Sequence, residues 1–145
     1  MKIFTGVLSM IVLCIVILSF VPQKSTQWVV PESYQKMKNP VPSDAASIKI
    51  GKDMYWRYCK SCHGENGDGE GPRGAKLVPS PGDFTTDAFK KESDGAIFYK
   101  MTVGHNAMPS FKKKIPSHDD IIEGSFGKTG SAGDLINFIR TFAKK

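Results

Sequence analysis

The stretch Cys59-Lys60-Ser61-Cys62-His63 is the most informative part of the 145-residue chain. Two cysteines three residues apart, followed at once by a histidine, form the attachment signature of a c-type haem. At the end of a helix, two thiols at this spacing can reach both vinyl groups of one haem and form thioethers. The histidine is then held beneath the iron as an axial ligand. The motif therefore predicts one covalently attached haem c, bound by Cys59, Cys62 and His63.

Two other kinds of site use a Cys-x-x-Cys pair, and the rest of the chain favours neither. A thioredoxin-like redox pair follows a strand in a βαβ pattern, and no such pattern surrounds this pair. A structural zinc site takes four ligands, but the chain has no second cysteine pair, because Cys14 lies alone in an apolar run. Three cysteines in this arrangement are also not a disulfide framework.

The N-terminal segment predicts an export signal that remains as a membrane anchor. Residues 3–21 are almost wholly apolar, which is close to the ~20 residues that span a bilayer and longer than the ~7–15 of a signal-peptide core. The best cleavage site, Ser19-x-Val21, is weak. We therefore expect residues 1–21 to form a transmembrane helix, with Lys2 in the cytoplasm and the haem domain on the periplasmic side of a bacterial cytoplasmic membrane. The alternative is a cleaved signal and a soluble periplasmic protein.

Residues 22–42 are predicted to be a linker between this anchor and a domain at 43–145. The segment contains four prolines among polar residues. Its Trp28-Val29-Val30 can lie at the membrane interface or pack against the domain, and the sequence does not distinguish the two.

Hydrophobic periodicity and capping residues predict that the domain is all-α. Ser43 or Asp44 should cap the first helix. The last should begin with a capping box at 131–134 and bury one apolar stripe. The predicted helices span 45–59, 86–91, 93–103 and 132–143, and the stripe of the last consists of Leu135, Phe138, Ile139 and Phe142.

Gly51 lies inside the first predicted helix, where glycine costs ~1 kcal/mol relative to alanine. A close crossing of two helices would explain its presence. We expect the apolar stripe of the last helix to cross the first helix near this residue.

Residues 54–72 resemble the Cys-x-x-Cys-His-Gly … Gly-x-Gly-x-Gly-Pro pattern of bacterial monohaem class I cytochrome c domains. The resemblance runs from about Ser43 to Phe111 and resumes at the last helix. It is strongest to membrane-associated, single-haem respiratory cytochromes. It implies the class I cytochrome c fold, in which short helices wrap one covalent haem that supplies much of the core.

The sixth iron ligand decides what such a haem does, because a filled position makes an electron carrier and an open one admits oxygen or peroxide. Met108 is the ligand that the resemblance implies. It also follows a helix in a segment that can fold over the opposite haem face, and a thioether ligand raises the potential. His105 is the competing ligand. The resemblance further implies that a proline carbonyl accepts the second ring N–H of His63, with Pro81 preferred over Pro72.

The predicted function is one-electron transfer between membrane respiratory partners, such as a quinol-oxidising complex and a terminal oxidase. On this interpretation the chain is not an enzyme and takes no small-molecule substrate, although it could be a fixed subunit of a larger oxidoreductase. The alternative is a haem sensor or peroxidase-like enzyme with an open or displaceable sixth ligand, for which His105 is the only local acid–base candidate.

The charge distribution indicates the kind of partner. The net charge is +6, and Lys112-Lys113-Lys114 follows the Met108 segment, so we expect an acidic docking site on the redox partner. The alternative for the three lysines is a solvated basic turn without a partner. Lysine and arginine are otherwise scattered and no nucleic-acid-binding motif occurs. The long segment 112–130 departs from the resembled family, and its Gly127-Lys128-Thr129 lacks the first glycine of a P-loop.

Overall fold

The computed structural model describes residues 28–115 and 130–143. The predicted anchor at 1–21 and residues 116–129 of the long loop lie outside these ranges. Within them, no helix is long and apolar enough to cross a membrane. The described ranges form an all-α fold without strands, as predicted. Their helices are α1 Glu32–Gln35, α2 Ala45–Tyr58, α3 Lys60–His63, α4 Asp87–Lys90, α5 Asp94–Val103 and α6 Ala132–Phe142, with a short 3-10 helix at Gly74–Lys76.

The two longest helices, α2 and α6, cross at Gly51, as predicted. A Cβ on Gly51 would lie 2.7 Å from the carbonyl carbon of Asp134 and 2.8 Å from Cβ of Phe138. Glycine is therefore required here because the backbones approach too closely for a side chain.

Capping side chains begin both helices of this pair. The Asp44 carboxylate accepts a hydrogen bond of 2.8 Å from the Ser47 N–H at the start of α2. Ser131 and Asp134 form the predicted capping box of α6. These caps satisfy backbone donors that have no partner inside a helix, and they explain why both helices begin where the sequence predicted.

The core lies between α2, α5 and α6. The whole predicted stripe of α6 is buried, as are Ile97, Phe98 and Met101 of α5. Tyr55 of α2 has no exposed surface, and its hydroxyl donates a 2.7 Å hydrogen bond to the Gly64 carbonyl. Burial raises the pKa of this phenol well above its ordinary value, so the hydroxyl stays a donor and joins α2 to the loop after α3.

Helix α5 is held against α6 by a polar contact. The Arg140 guanidinium pairs with Asp94 at 2.8 Å and also donates to the carbonyls of Phe89 and Glu92. Helix α5 then ends at Gly104, which has a φ of 74°. This helix stop was predicted, and it directs the chain into the segment that carries Met108.

Residues 28–42, which we call the N-terminal strap, lie against the helical domain although they form part of the predicted linker. The backbone of Tyr34 packs on Gly95 of α5, and the Tyr34 ring lies 4.8 Å from that of Tyr99. Farther along, Asn39 donates to the Asn137 side chain of α6 at 2.8 Å. The strap is thus fastened to both α5 and α6.

Candidate haem site

A cavity of about 550 Å³ lies between the α2–α3 junction and the segment after α5, within the range of ~300–1,000 Å³ usual for cofactor pockets. All four residues predicted to bind haem line this cavity. Cys59, Cys62 and His63 come from one wall, and Met108 comes from another. His105, the competing ligand, lines it as well. The fold therefore brings together residues that are more than forty positions apart in the sequence.

The attachment motif is fixed by a loop that folds back onto it. Helix α3 leaves its last carbonyls without partners inside the helix. Backbone N–H groups of the glycine-rich loop satisfy them: Gly69 donates to His63 at 3.0 Å, Gly71 to Cys62 at 3.1 Å and Arg73 to Ser61 at 2.8 Å. Gly71 and Gly74 are required for this approach, because a Cβ on either residue would collide with the Cys62 backbone.

His63 is oriented by two neighbours. Its Nδ1 lies 3.3 Å from the Gly82 carbonyl oxygen, and the Phe84 ring stacks on the imidazole with centroids 4.5 Å apart and planes 19° apart. A carbonyl can only accept, so Nδ1 carries the proton and Nε2 keeps its lone pair. The prediction of Pro81 as the acceptor is wrong by one residue, because the carbonyl of the following glycine is the one that reaches the ring.

Burial lowers the pKa of His63, and the hydrogen bond to Gly82 opposes this shift in part. The lowered pKa favours the neutral imidazole at pH 7. A neutral imidazole with a free Nε2 is the form that binds iron.

No disulfide bond joins the two cysteines of the motif. Burial, together with a smaller effect of the nearby Cys62, raises the pKa of Cys59 to about 12. Redox-active Cys-x-x-Cys pairs have the opposite property, a lowered thiol pKa. This difference argues against a thioredoxin-like pair and leaves both sulfurs for covalent attachment.

Met108 lies at the end of a tight turn whose other end is His105. The backbone N–H of each residue donates to the carbonyl of the other at 2.9 Å. Asn106, inside the turn, has a φ of 51°, a conformation that asparagine tolerates better than most residues. Met108 is half-buried and packs on the core, whereas His105 is exposed. We call residues 105–108 the ligand turn.

The cations of the cavity match the remaining chemistry of a haem, which carries two propionate carboxylates. Arg57, Arg73 and Lys114 line the cavity, and none of them forms an ion pair with another residue of the described ranges. The cavity thus offers two thiols for covalent attachment, an imidazole and a thioether as iron ligands, and cations for the propionates. This set of groups fits a covalent haem. Within those ranges there is no group of acidic, histidine and cysteine side chains that would hold a separate metal ion.

Sequence reasoning did not assign two aromatic residues to this site. Phe84 belongs to a stretch that matches the resembled family, but nothing in the sequence showed that it stacks on His63. Trp28, in the N-terminal strap, also lines the cavity. Its aromatic side chain was the only feature of the sequence that pointed to a place in the site.

The helical fold, the attachment motif and the cavity together define a class I c-type cytochrome domain of bacterial type, which binds one covalent haem c. Residues 46–122 match the family described as cytochrome c oxidase, cbb3-type, subunit III. This match covers more than half of the 145 residues, and the chain belongs to that family. A search of curated proteins gave no significant match.

Proposed function

We propose that this protein is a one-electron carrier whose haem is attached through Cys59 and Cys62 and ligated by His63 and Met108. The observation that carries the proposal is the shared cavity, because the thiols, the imidazole and the thioether all line one space of suitable volume. When bound, the haem supplies a reversible ferric–ferrous couple. Two strong axial ligands leave no open coordination position for substrate chemistry, which favours a carrier over a sensor or peroxidase.

In this proposal, the protein's own residues hold the cofactor and set its environment. The Gly82 carbonyl and the Phe84 ring fix the proximal imidazole. The ligand turn presents the thioether, a soft, neutral ligand that stabilises the ferrous state. Arg57 and Arg73 would face the propionates and offset their charge. Electron transfer through such a site needs little rearrangement, because each ligand is already positioned by backbone hydrogen bonds.

The proposed partners are membrane respiratory proteins. The family description refers to a subunit of a cbb3-type oxidase, which supports a partner within a terminal oxidase complex. The electron donor in this proposal is a quinol-oxidising complex. Lys112, Lys113 and Lys114 are exposed, and Lys114 lines the cavity, so we expect the three to meet an acidic docking surface. A membrane anchor at residues 1–21 would place the haem domain on the periplasmic side, beside these partners.

Optical spectra of the haem-loaded protein test the proposed ligation. We expect the oxidised wild type to show an iron–sulfur charge-transfer band. Met108→Ala should lose the band, and its ferrous form should bind carbon monoxide. His105→Ala is the matched control from the same turn and should keep the band. If instead only His105→Ala changed the spectrum, His105 would be the sixth ligand. If neither changed it, the sixth position would be open or filled by another residue, and the sensor or peroxidase alternative would be favoured.

A further inference from the structure

The first described residue of the N-terminal strap lies against the haem cavity. This residue is Trp28, and its indole lies 5.1 Å from the His105 imidazole, centroid to centroid, with a tilt of 33°. The Lys100 ammonium lies 5.9 Å from the centre of the same indole. The neighbouring Val29 is 82% exposed and does not line the cavity. The strap thus places one aromatic ring, and not its neighbour, against the ligand turn.

The position of Trp28 is set by contacts far from the cavity. Asn137 of α6 donates to the carbonyls of Val41 and Pro42, each at 3.1 Å, and Asn39 donates to the Gly133 carbonyl at 2.9 Å. Closer to Trp28, Tyr34 packs on Gly95 of α5. Because these contacts hold the strap along its length, the indole is held in place by the helices and does not depend on the weak ring contact alone.

The ligand turn is supported at its base but exposed at its tip. Beyond Met108, Ser110 donates to the Thr102 carbonyl at 2.5 Å and Phe111 donates to the Met101 carbonyl at 3.0 Å. At the tip, His105, Asn106 and Ala107 are all exposed. In the described ranges, the stack with Trp28 is the one aromatic contact that His105 makes. Since two backbone hydrogen bonds join His105 to Met108, a force on one residue is transmitted to the other.

From this geometry we propose that Trp28 is a positioning residue for the distal ligand. It braces the ligand turn through His105 and keeps Met108 directed into the cavity, and it covers the mouth of the cavity against exogenous ligands. The inference rests on the proposed ligation by Met108. It gives the N-terminal strap a role in the redox site in addition to its role as a connection to the membrane.

Imidazole binding to the oxidised, haem-loaded, full-length protein tests this proposal, because imidazole must displace the distal ligand. Its apparent affinity rises with the fraction of molecules in which the turn is open. An aromatic pair of ordinary strength corresponds to roughly a two- to tenfold change in such an equilibrium. We expect Trp28→Ala to bind imidazole roughly two- to tenfold more tightly than the wild type, and the matched control Val29→Ala to bind it as the wild type does.

A conservative variant separates bracing from a general effect on folding. Trp28→Phe keeps a ring on His105 and should restore most of the wild-type resistance to imidazole, while far-UV circular dichroism should be the same for all variants. Equal imidazole affinities for Trp28→Ala and Val29→Ala would overturn the proposal. It would also be overturned if Trp28→Phe bound imidazole as tightly as Trp28→Ala does. The charge-transfer band of the wild type tests ligation by Met108 separately. Absence of the band would contradict the proposed function, whereas the role of Trp28 is decided by the imidazole affinities of the variants.

Discussion

Replacing Gly51 by alanine tests the packing on which the fold depends. Gly51 is the point of closest approach between α2 and α6, and a Cβ there would lie 2.7 Å from the carbonyl carbon of Asp134 and still closer to its oxygen. Ordinary contacts of this kind begin at about 3.4 Å. The helices must therefore separate by at least about 0.7 Å to accept one methyl group.

Two effects of opposite sign determine the expected free energy of unfolding. Alanine is ~1 kcal/mol more favourable than glycine inside a helix, so propensity alone predicts a more stable variant. An extra methyl group in a packed interior usually costs about 1–3 kcal/mol, and more when nothing can yield. Here the obstructing atoms belong to the backbone of α6, and moving them loosens the contacts of buried Phe138 and Leu135. We expect the packing cost to prevail, with a net loss of about 1–2 kcal/mol.

Urea unfolding of the haem-loaded protein, followed by far-UV circular dichroism, measures this difference. Lys49→Ala is the matched control, because Lys49 is an exposed residue of the same helix, and its effect should stay within about 0.5 kcal/mol. A Gly51→Ala variant that equals or exceeds the wild type in stability would refute the reasoning. That result would mean that α2 and α6 do not approach each other at this residue.

Three further predictions concern stability and docking. Tyr55→Phe should cost about 1 kcal/mol at pH 8, because it removes the buried hydrogen bond to Gly64. Since the pKa of Tyr55 is raised in the folded protein, the contribution of its hydroxyl to the free energy of unfolding is complete below pH ~10 and decreases at higher pH. A difference in free energy of unfolding between wild type and Tyr55→Phe that stays constant up to pH 11 would contradict this. Asn137→Ala should lower the free energy of unfolding by about 2–3 kcal/mol, because it leaves the buried Ser47 hydroxyl and the strap carbonyls without their partner; urea titration measures this, and a change below 0.5 kcal/mol would show that the strap is not held there. Replacing Lys112, Lys113 and Lys114 by glutamine should slow electron transfer with an acidic partner protein at low salt and remove most of its salt dependence; stopped-flow rates that do not change would exclude these lysines from docking.

The features that the sequence predicted well are those set by neighbouring residues. The caps of α2 and α6 lie within four positions of the groups they satisfy, and the apolar stripe of α6 repeats at helical spacing, so local pattern was sufficient to locate both helices. The attachment motif was visible for the same reason. The crossing of α2 and α6 at Gly51 is a contact between distant segments, yet it was predicted, because a glycine inside a helix is unfavourable and indicates a close contact.

The contacts that the sequence did not predict join distant segments. Gly82, in place of Pro81, accepts the hydrogen bond from His63, because a shift of one residue in a loop changes which carbonyl faces the ring, and no periodic pattern fixes that register. The stack of Trp28 on His105 joins residues seventy-seven positions apart. This contact depends on the path that the strap takes across α5 and α6. The prolines and polar residues of the segment predicted a linker but did not determine that path.

The two sides of the cavity are held to different degrees, and this difference bears on function. On the proximal side, His63 is fixed by α3, by the folded-back loop, by the Gly82 carbonyl and by the Phe84 ring. On the opposite side, the proposed ligand Met108 is carried by a four-residue turn with an exposed tip. With the haem attached through Cys59 and Cys62 as proposed, we expect adjustment of the site to take place at the ligand turn and not at His63. On the proposal that Trp28 braces this turn, its contact with His105 is the place where a change in the strap would reach the haem site with the least cost to the helical core.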